Sequence, residues 1–155
     1  MGTLRKIRRT AVGIGLASLL TTPVVLGAGM GPAAAVDGGV SSHYTAMGGG
    51  GSTAQAYVNW SSSTKVVWQD IYVNDTCPGD GHVAILKFVV RYEGDSGWTT
   101  VGTRRDEGTC ESAPYTESSA SWSSSRRIND ATVVACVESV GCAAAGSDYR
   151  DNPYW

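Results

Sequence analysis

HVAILKFVVRY, residues 82–92, is the longest apolar-rich run downstream of residue 35, and the remaining elements have to pack around it. Read as an extended chain, it alternates. Ala84, Leu86, Phe88, Val90 and Tyr92 share one face, while Val83, Ile85, Lys87, Val89 and Arg91 share the other. The first face is wholly apolar, which makes this a central strand with that face in the core. The second begins apolar and ends charged, which predicts cover over its first half and water over its second. β-Branched and aromatic residues, with Gly79, Gly81, Gly94 and Gly97 at the flanks, favour a strand over a helix of equal length.

Toward the N-terminus, Arg5, Lys6, Arg8 and Arg9 precede an apolar run over residues 11–26, and Ala33, Ala34 and Ala35 supply a small-residue cleavage site. That layout reads as a secretory signal peptide, residues 1–35. Pro23 and several glycines interrupt the roughly 20 continuous apolar residues that a membrane span needs. Its removal takes four of the 12 basic residues and none of the 14 acidic ones, so the formal charge moves from −2 to −6. An acidic exported chain is a poor partner for nucleic acid or for an anionic membrane, because both require clustered Lys and Arg. The two basic pairs, Arg104–Arg105 and Arg126–Arg127, read as solvated strand ends. Residues 36–53 contain four consecutive glycines at 48–51 and little to bury, which predicts a flexible segment. The folded unit then spans residues 54–155, enough for one domain with a modest core.

Within that unit, residues 54–60 and 65–73 read as strands around a serine turn. Strict alternation in the second places Val67, Gln69, Ile71 and Val73 on one face and Val66, Trp68, Asp70 and Tyr72 on the other, so both faces are half apolar. Asp80-Gly81 turns the chain into the central strand, and EGDSG at 93–97 turns it back into an antiparallel partner at 98–103. Residues 104–114 read as a charged loop. Residues 115–125, rich in serine, read as an edge strand, and ATVVACVE at 131–138 reads as a second buried strand. Short strands, frequent turns and no amphipathic helical stripe define an all-β class. The expected architecture is a small disulfide-bonded antiparallel β-sandwich, with an immunoglobulin-like arrangement or a small barrel as variants.

Four cysteines in an exported chain point to two disulfides among Cys77, Cys110, Cys136 and Cys142. Three pairings exist. The spacing favours Cys136 with Cys142, across a hairpin return, and Cys77 with Cys110, joining the loops at the two ends of the central hairpin. Acting on the entropy of the unfolded chain, such links contribute about 2.4 and about 3.8 kcal/mol respectively. A metal site is the alternative, since His82 lies near Cys77, but there is no C-x-x-C pair and an oxidising exterior disfavours thiolate ligands. No cofactor or metal is expected.

The chain contains no G-x-S-x-G elbow, H-E-x-x-H, P-loop or dinucleotide fingerprint. Its imidazoles are His43, in the glycine-rich segment, and His82, which reads as a strand-end residue. Asp75 and Asp80, with Asn74, have oxygen ligands suited to calcium, but their spacing fits no EF-hand loop and turn formation accounts for them. Asp70 and Glu138 are the carboxylates placed on strands, and they are the pair to consider for glycoside hydrolysis. With Phe88 the only phenylalanine, tryptophans such as Trp68 and Trp98 are expected to fill the core. Trp122, amid serines, and Trp155, with Tyr149 and Tyr154 close to the terminus, are the candidate binding residues.

The Arg-rich and Ala/Gly-rich leader, the D-T-C-x-x-D-G-H turn at 75–82, the strand bearing Cys136 with Cys142 close behind, and the Asn152-Pro153 tail together resemble small exported proteins of high-GC actinobacteria such as streptomycetes. The resemblance covers most of the chain after residue 35. It implies compartment and fold but carries no assigned activity. In size, export and four-cysteine count the chain is also similar to streptomycete subtilisin-inhibitor proteins. The reading that follows is a secreted, monomeric, non-catalytic binding module for an extracellular protein or cell-wall glycan, with no nucleic-acid partner and no membrane association after signal cleavage. The alternatives are a protease inhibitor offering Glu138, Ser139, Val140 and Gly141 as bait, and a small extracellular hydrolase using Asp70, Glu138 or His82.

Overall fold

The computed structural model describes residues 37–47, 49–76, 81–108 and 112–154. The segment read as a signal peptide therefore lies outside the described residues. Those described form nine strands: β1 (Gly38–Thr45), β2 (Gly51–Ser62), β3 (Lys65–Thr76), β4 (Ala84–Tyr92), β5 (Thr99–Asp106), β6 (Tyr115–Ser123), β7 (Ile128–Val137), β8 (Gly141–Cys142) and β9 (Arg150–Asp151). They build two antiparallel sheets, one in the order β1-β2-β3-β6 and the other in the order β5-β4-β7-β8, with β9 also paired to β7. The protein is an all-β sandwich.

Between the sheets lies the apolar face expected of β4. Ala84, Leu86, Phe88, Val90 and Tyr92 are all buried, and they meet Val58, Trp60, Val66, Trp68, Ile71 and Val73 of the opposite sheet. Trp68 and Phe88 stack at a centroid distance of 4.7 Å, so the tryptophan does occupy the place of a missing phenylalanine. The hairpin from β4 into β5 forms as the sequence indicates. It runs further, however, because Arg104, Arg105 and Asp106 continue β5 instead of opening a loop. Their side chains have partners: Arg104 pairs with Glu117 of β6, Arg105 with Glu138, and buried Asp106 accepts the Asp75 N–H at 3.3 Å.

The segment at 36–53 also departs from expectation. It is read as flexible, yet Gly38–Thr45 is strand β1, laddered to β2 from Gly38↔Val58 to Thr45↔Gly51. Two of its glycines lie in close packing. A Cβ at Gly38 would sit 2.6 Å from Arg150 Nε, and one at Gly51 would sit 2.3 Å from the Tyr44 carbonyl oxygen. Val40 is buried, and Ser42 Oγ accepts the Ala135 N–H at 3.0 Å, so β1 also fastens the first sheet to β7 of the second. At the opposite margin the Arg104–Glu117 pair joins β5 to β6.

Strict alternation fails in β3 for a local reason. Gln55 pairs with Tyr72 and Tyr57 with Gln69, so Asp70 and Ile71 together oppose the single residue Ala56. This is a β-bulge, with Asp70 at φ +50°. The extra residue shifts the pattern by one: Val66 and Trp68 point inward before it, and Ile71, Val73 and Asp75 point inward after it. Both apolar sets therefore enter one core, and Tyr72 is left outward with Gln69.

The outer face of β4 is covered along more of its length than its charge suggests. Val89, Val134 and Cys136 are buried under Ile85, Trp98, Ala143 and Ala145, and Arg91 lies beneath Trp98 and Tyr149 at 5.2 and 5.6 Å from the ring centroids. Trp98 and the chain after β8 provide this cover, and Asn152 fastens the end of that chain. Buried Asn152 donates its amide N–H groups to the Ile128 carbonyl at 2.8 Å and the Ser62 carbonyl at 3.2 Å, so it holds one strand of each sheet. Replacing Asn152 with Ala leaves both carbonyls without this donor. The expected cost is about 1–3 kcal/mol, read as a lower denaturant midpoint with an unchanged slope.

Candidate functional site

The residues singled out in the sequence do not form one cluster. Trp122 is half-buried on the core side of β6, and its indole N–H donates to the Tyr92 hydroxyl at 3.1 Å. It acts as an edge of the core. Tyr149 lies on the outside of the second sheet, edge-on to Trp98 at 6.0 Å, and Tyr154 is exposed in the segment after β9. Trp155 lies outside the described residues, as do Cys77 and Cys110. The Cys136–Cys142 disulfide is present, between register partners of β7 and β8.

The loop closed by that disulfide is compact. Val140 N–H donates to the Val137 carbonyl at 3.1 Å, Ser139 takes φ +60°, Glu138 is paired with Arg105, and only Val140 projects as an exposed apolar side chain. A tight turn of this kind lacks the extended backbone a protease needs in order to read a bait segment as substrate. Asp70 and Glu138 stand on different sheets, with Asp70 at the bulge of β3 and Glu138 just past β7. His43 is on the outward face of β1, with its ring nitrogens 3.0 Å from Thr53 Oγ1 and 3.1 Å from Thr45 Oγ1. Among the described residues no group of three His, Cys, Asp or Glu is arranged to hold a metal ion.

Where titration is displaced, the cause is structural. Asp130, buried on β7, has its carboxyl pKa raised, first by burial and then by a hydrogen bond with Asp151, its register partner on β9; Arg91, bonded at 2.7 Å, pulls the other way. Glu117 is lowered, chiefly by its hydrogen bond to Arg104. The two groups act in opposite pH directions.

What the sequence reading missed is the solvent face of the first sheet. Tyr57 projects from β2 with 41% of its surface exposed, between the buried residues Ala56 and Val58. One depression of about 400 Å³ is lined by Ser41, Gln55, Tyr57, Asp70 and Asp148 among others. A second, of about 380 Å³, is lined by Asp70, Tyr72, Thr116 and Ser118 among others, so the two meet at the bulge. A larger depression of about 750 Å³ at β5 includes Arg104 and Arg105, both already engaged by glutamates. The signal for the first face was present in the sequence: in AQAYVNW, residues 54–60, the polar side of the alternation carries a tyrosine between an amide on either side.

No protein-family model, curated protein or solved structure matches the chain.

The Asp130–Asp151 contact gives a pH test. A folded pKa above the ordinary 3.8 means the fold holds a proton that the unfolded chain releases, so this contribution is complete below pH 3.8 and declines as pH rises through the folded value. Asp151→Asn removes the like charge and retains a hydrogen-bonding side chain. Thermal melts across pH 4 to 8 should show the variant gaining stability over the parent as pH rises, with the two converging toward pH 4.

Proposed function

We propose that this chain is a secreted, non-catalytic binding module whose partner is an extracellular protein or a cell-wall glycan. Export is supported by the basic and apolar leader with its Ala33–Ala35 site, and by a disulfide compatible with an oxidising compartment. No helix among the described residues is long and apolar enough to cross a membrane. The observation that carries the binding reading is the contrast between two sets of residues. Asp70 and Glu138, the carboxylates considered for hydrolysis, stand on different sheets, whereas Tyr57 is presented outward on a sheet between two contiguous depressions. A ring with few rotatable bonds on a fixed strand provides contact area at low entropic cost.

The test is co-sedimentation of residues 36–155 with washed bacterial cell walls and, separately, affinity capture from spent culture medium, each followed by assays for released sugar and peptide. Stoichiometric retention by the walls or by one secreted protein, without product, is the expected result. Release of product, or no retention by either material, would overturn the reading.

A further inference from the structure

We propose that the solvent face of β1, β2, β3 and β6 around the Asp70 bulge binds a neutral linear polysaccharide, with the Tyr57 ring stacked on a sugar and the Asp70 carboxylate accepting hydrogen bonds from its hydroxyl groups. This rests on the binding-module reading and names its site and ligand class.

Three features of the face lead to it. Asp70 is in the left-handed region, at φ +50°, where glycine would be free of strain. Strained non-glycine backbone concentrates at binding sites, where the side chain is needed for something other than the fold. The bulge also interrupts the ladder to β2 between Gln55 and Tyr57, and a residue inserted in this way stands outside the regular pairing. The depressions on either side of Asp70 extend across all four strands, from Ser41 on β1 to Ser118 on β6. Three interstrand spacings make a track of about 14 Å, suited to a chain and too shallow to enclose a small molecule.

Charge then selects the ligand class. The linings of the two depressions hold Asp70, Asp148, Glu117, amide and hydroxyl groups, and no Lys or Arg; Glu117 is paired with Arg104. Asp148 is already held by the Ser41 N–H at 2.8 Å and by Arg150 at 2.9 Å, so its charge is partly answered within the protein. The acidic chain and these carboxylates repel phosphate, uronate and sulfate. Hydroxyl-rich neutral sugars suit the same groups, because their O–H donors meet carboxylates and their ring C–H faces meet an aromatic ring. A protein partner would call for a larger apolar centre than Tyr57 and Tyr72 provide.

Affinity electrophoresis tests this directly, in native gels cast with soluble neutral polysaccharides (a mixed-linkage β-glucan, a xylan, a mannan, starch) and, in parallel, with polygalacturonate. The parent protein should be retarded by at least one neutral polymer and not by polygalacturonate. Tyr57→Ala should weaken that retardation about tenfold. Asp70→Gly should weaken it severalfold while melting at the same or a higher temperature, a combination that a purely structural Asp70 would not give. Tyr154→Ala should behave as the parent does. Absence of retardation in every neutral gel, equal retardation by polygalacturonate, or unchanged retardation in Tyr57→Ala overturns the inference. If cell walls or a secreted protein still retain the parent in that event, the binding-module reading stands and only this site and ligand class fail.

Discussion

Thr132, Val134 and Cys136 point away from the space between the sheets, yet all three are nearly inaccessible to water. A strand buried on both faces is ordinary in a parallel sheet flanked by helices, but in an antiparallel sandwich it requires a dedicated cover. Here the cover is the chain after β8. Ala143 N–H donates to the Ala135 carbonyl at 2.9 Å, the Thr132 hydroxyl bonds the Asp148 carbonyl, and Ala143 and Ala145 close over Cys136. The return to β9 then depends on the Asn152 amide, which reaches the end of β7 and the end of β2. The disulfide between β7 and β8 fixes where that return begins.

Covering β7 also determines the fate of Arg91. Its guanidinium lies between Asp130 and the rings of Trp98 and Tyr149, half-buried, and an arginine accepts such a place because its planar cation can stack and donate at once. The aromatics of the second sheet's outer surface are thereby committed to structure. Among the described residues nothing equivalent lies over the first sheet, whose outward side chains Gln55, Tyr57, Gln69 and Tyr72 are accessible in varying degree. The two outer faces of the sandwich are thus finished differently, one covered by its own chain and the other open among the described residues.

Most of the fold could be read from periodicity. The inner face of β4 was legible because five residues alternate without interruption, and the β4–β5 hairpin because EGDSG separates two extended runs. Two features resisted such reading. The glycines at 38 and 51 look like a tether, since composition records only their freedom, while the Arg150 side chain beside Gly38 and the Tyr44 carbonyl beside Gly51 come near only once β1 has paired with β2 and the chain has returned through β9. The bulge at Asp70 was hidden because a one-residue insertion reverses every later side chain, and strict alternation carried through it gives two half-apolar faces. That second error concealed the candidate site as well, since it placed Tyr72 with Trp68 and Asp70 on a common face. Serine-rich surroundings similarly drew attention to Trp122, whose orientation depends on its register with Val66.

In the proposed site the bulge would tie stability to binding in one residue. It brings Trp68 and Ile71 into the same core although an odd number of positions separates them, so the first sheet cannot bury both without an irregularity near residue 70. Any residue there must leave the regular extended conformation, and glycine would do so most easily. An aspartate in that place preserves the packing and adds a carboxylate at the junction of two surface depressions, beside the exposed ring of Tyr57. The same irregularity that completes the core therefore shapes the outer surface, and a substitution at position 70 separates the two roles because the core needs the conformation and the proposed binding surface needs the side chain.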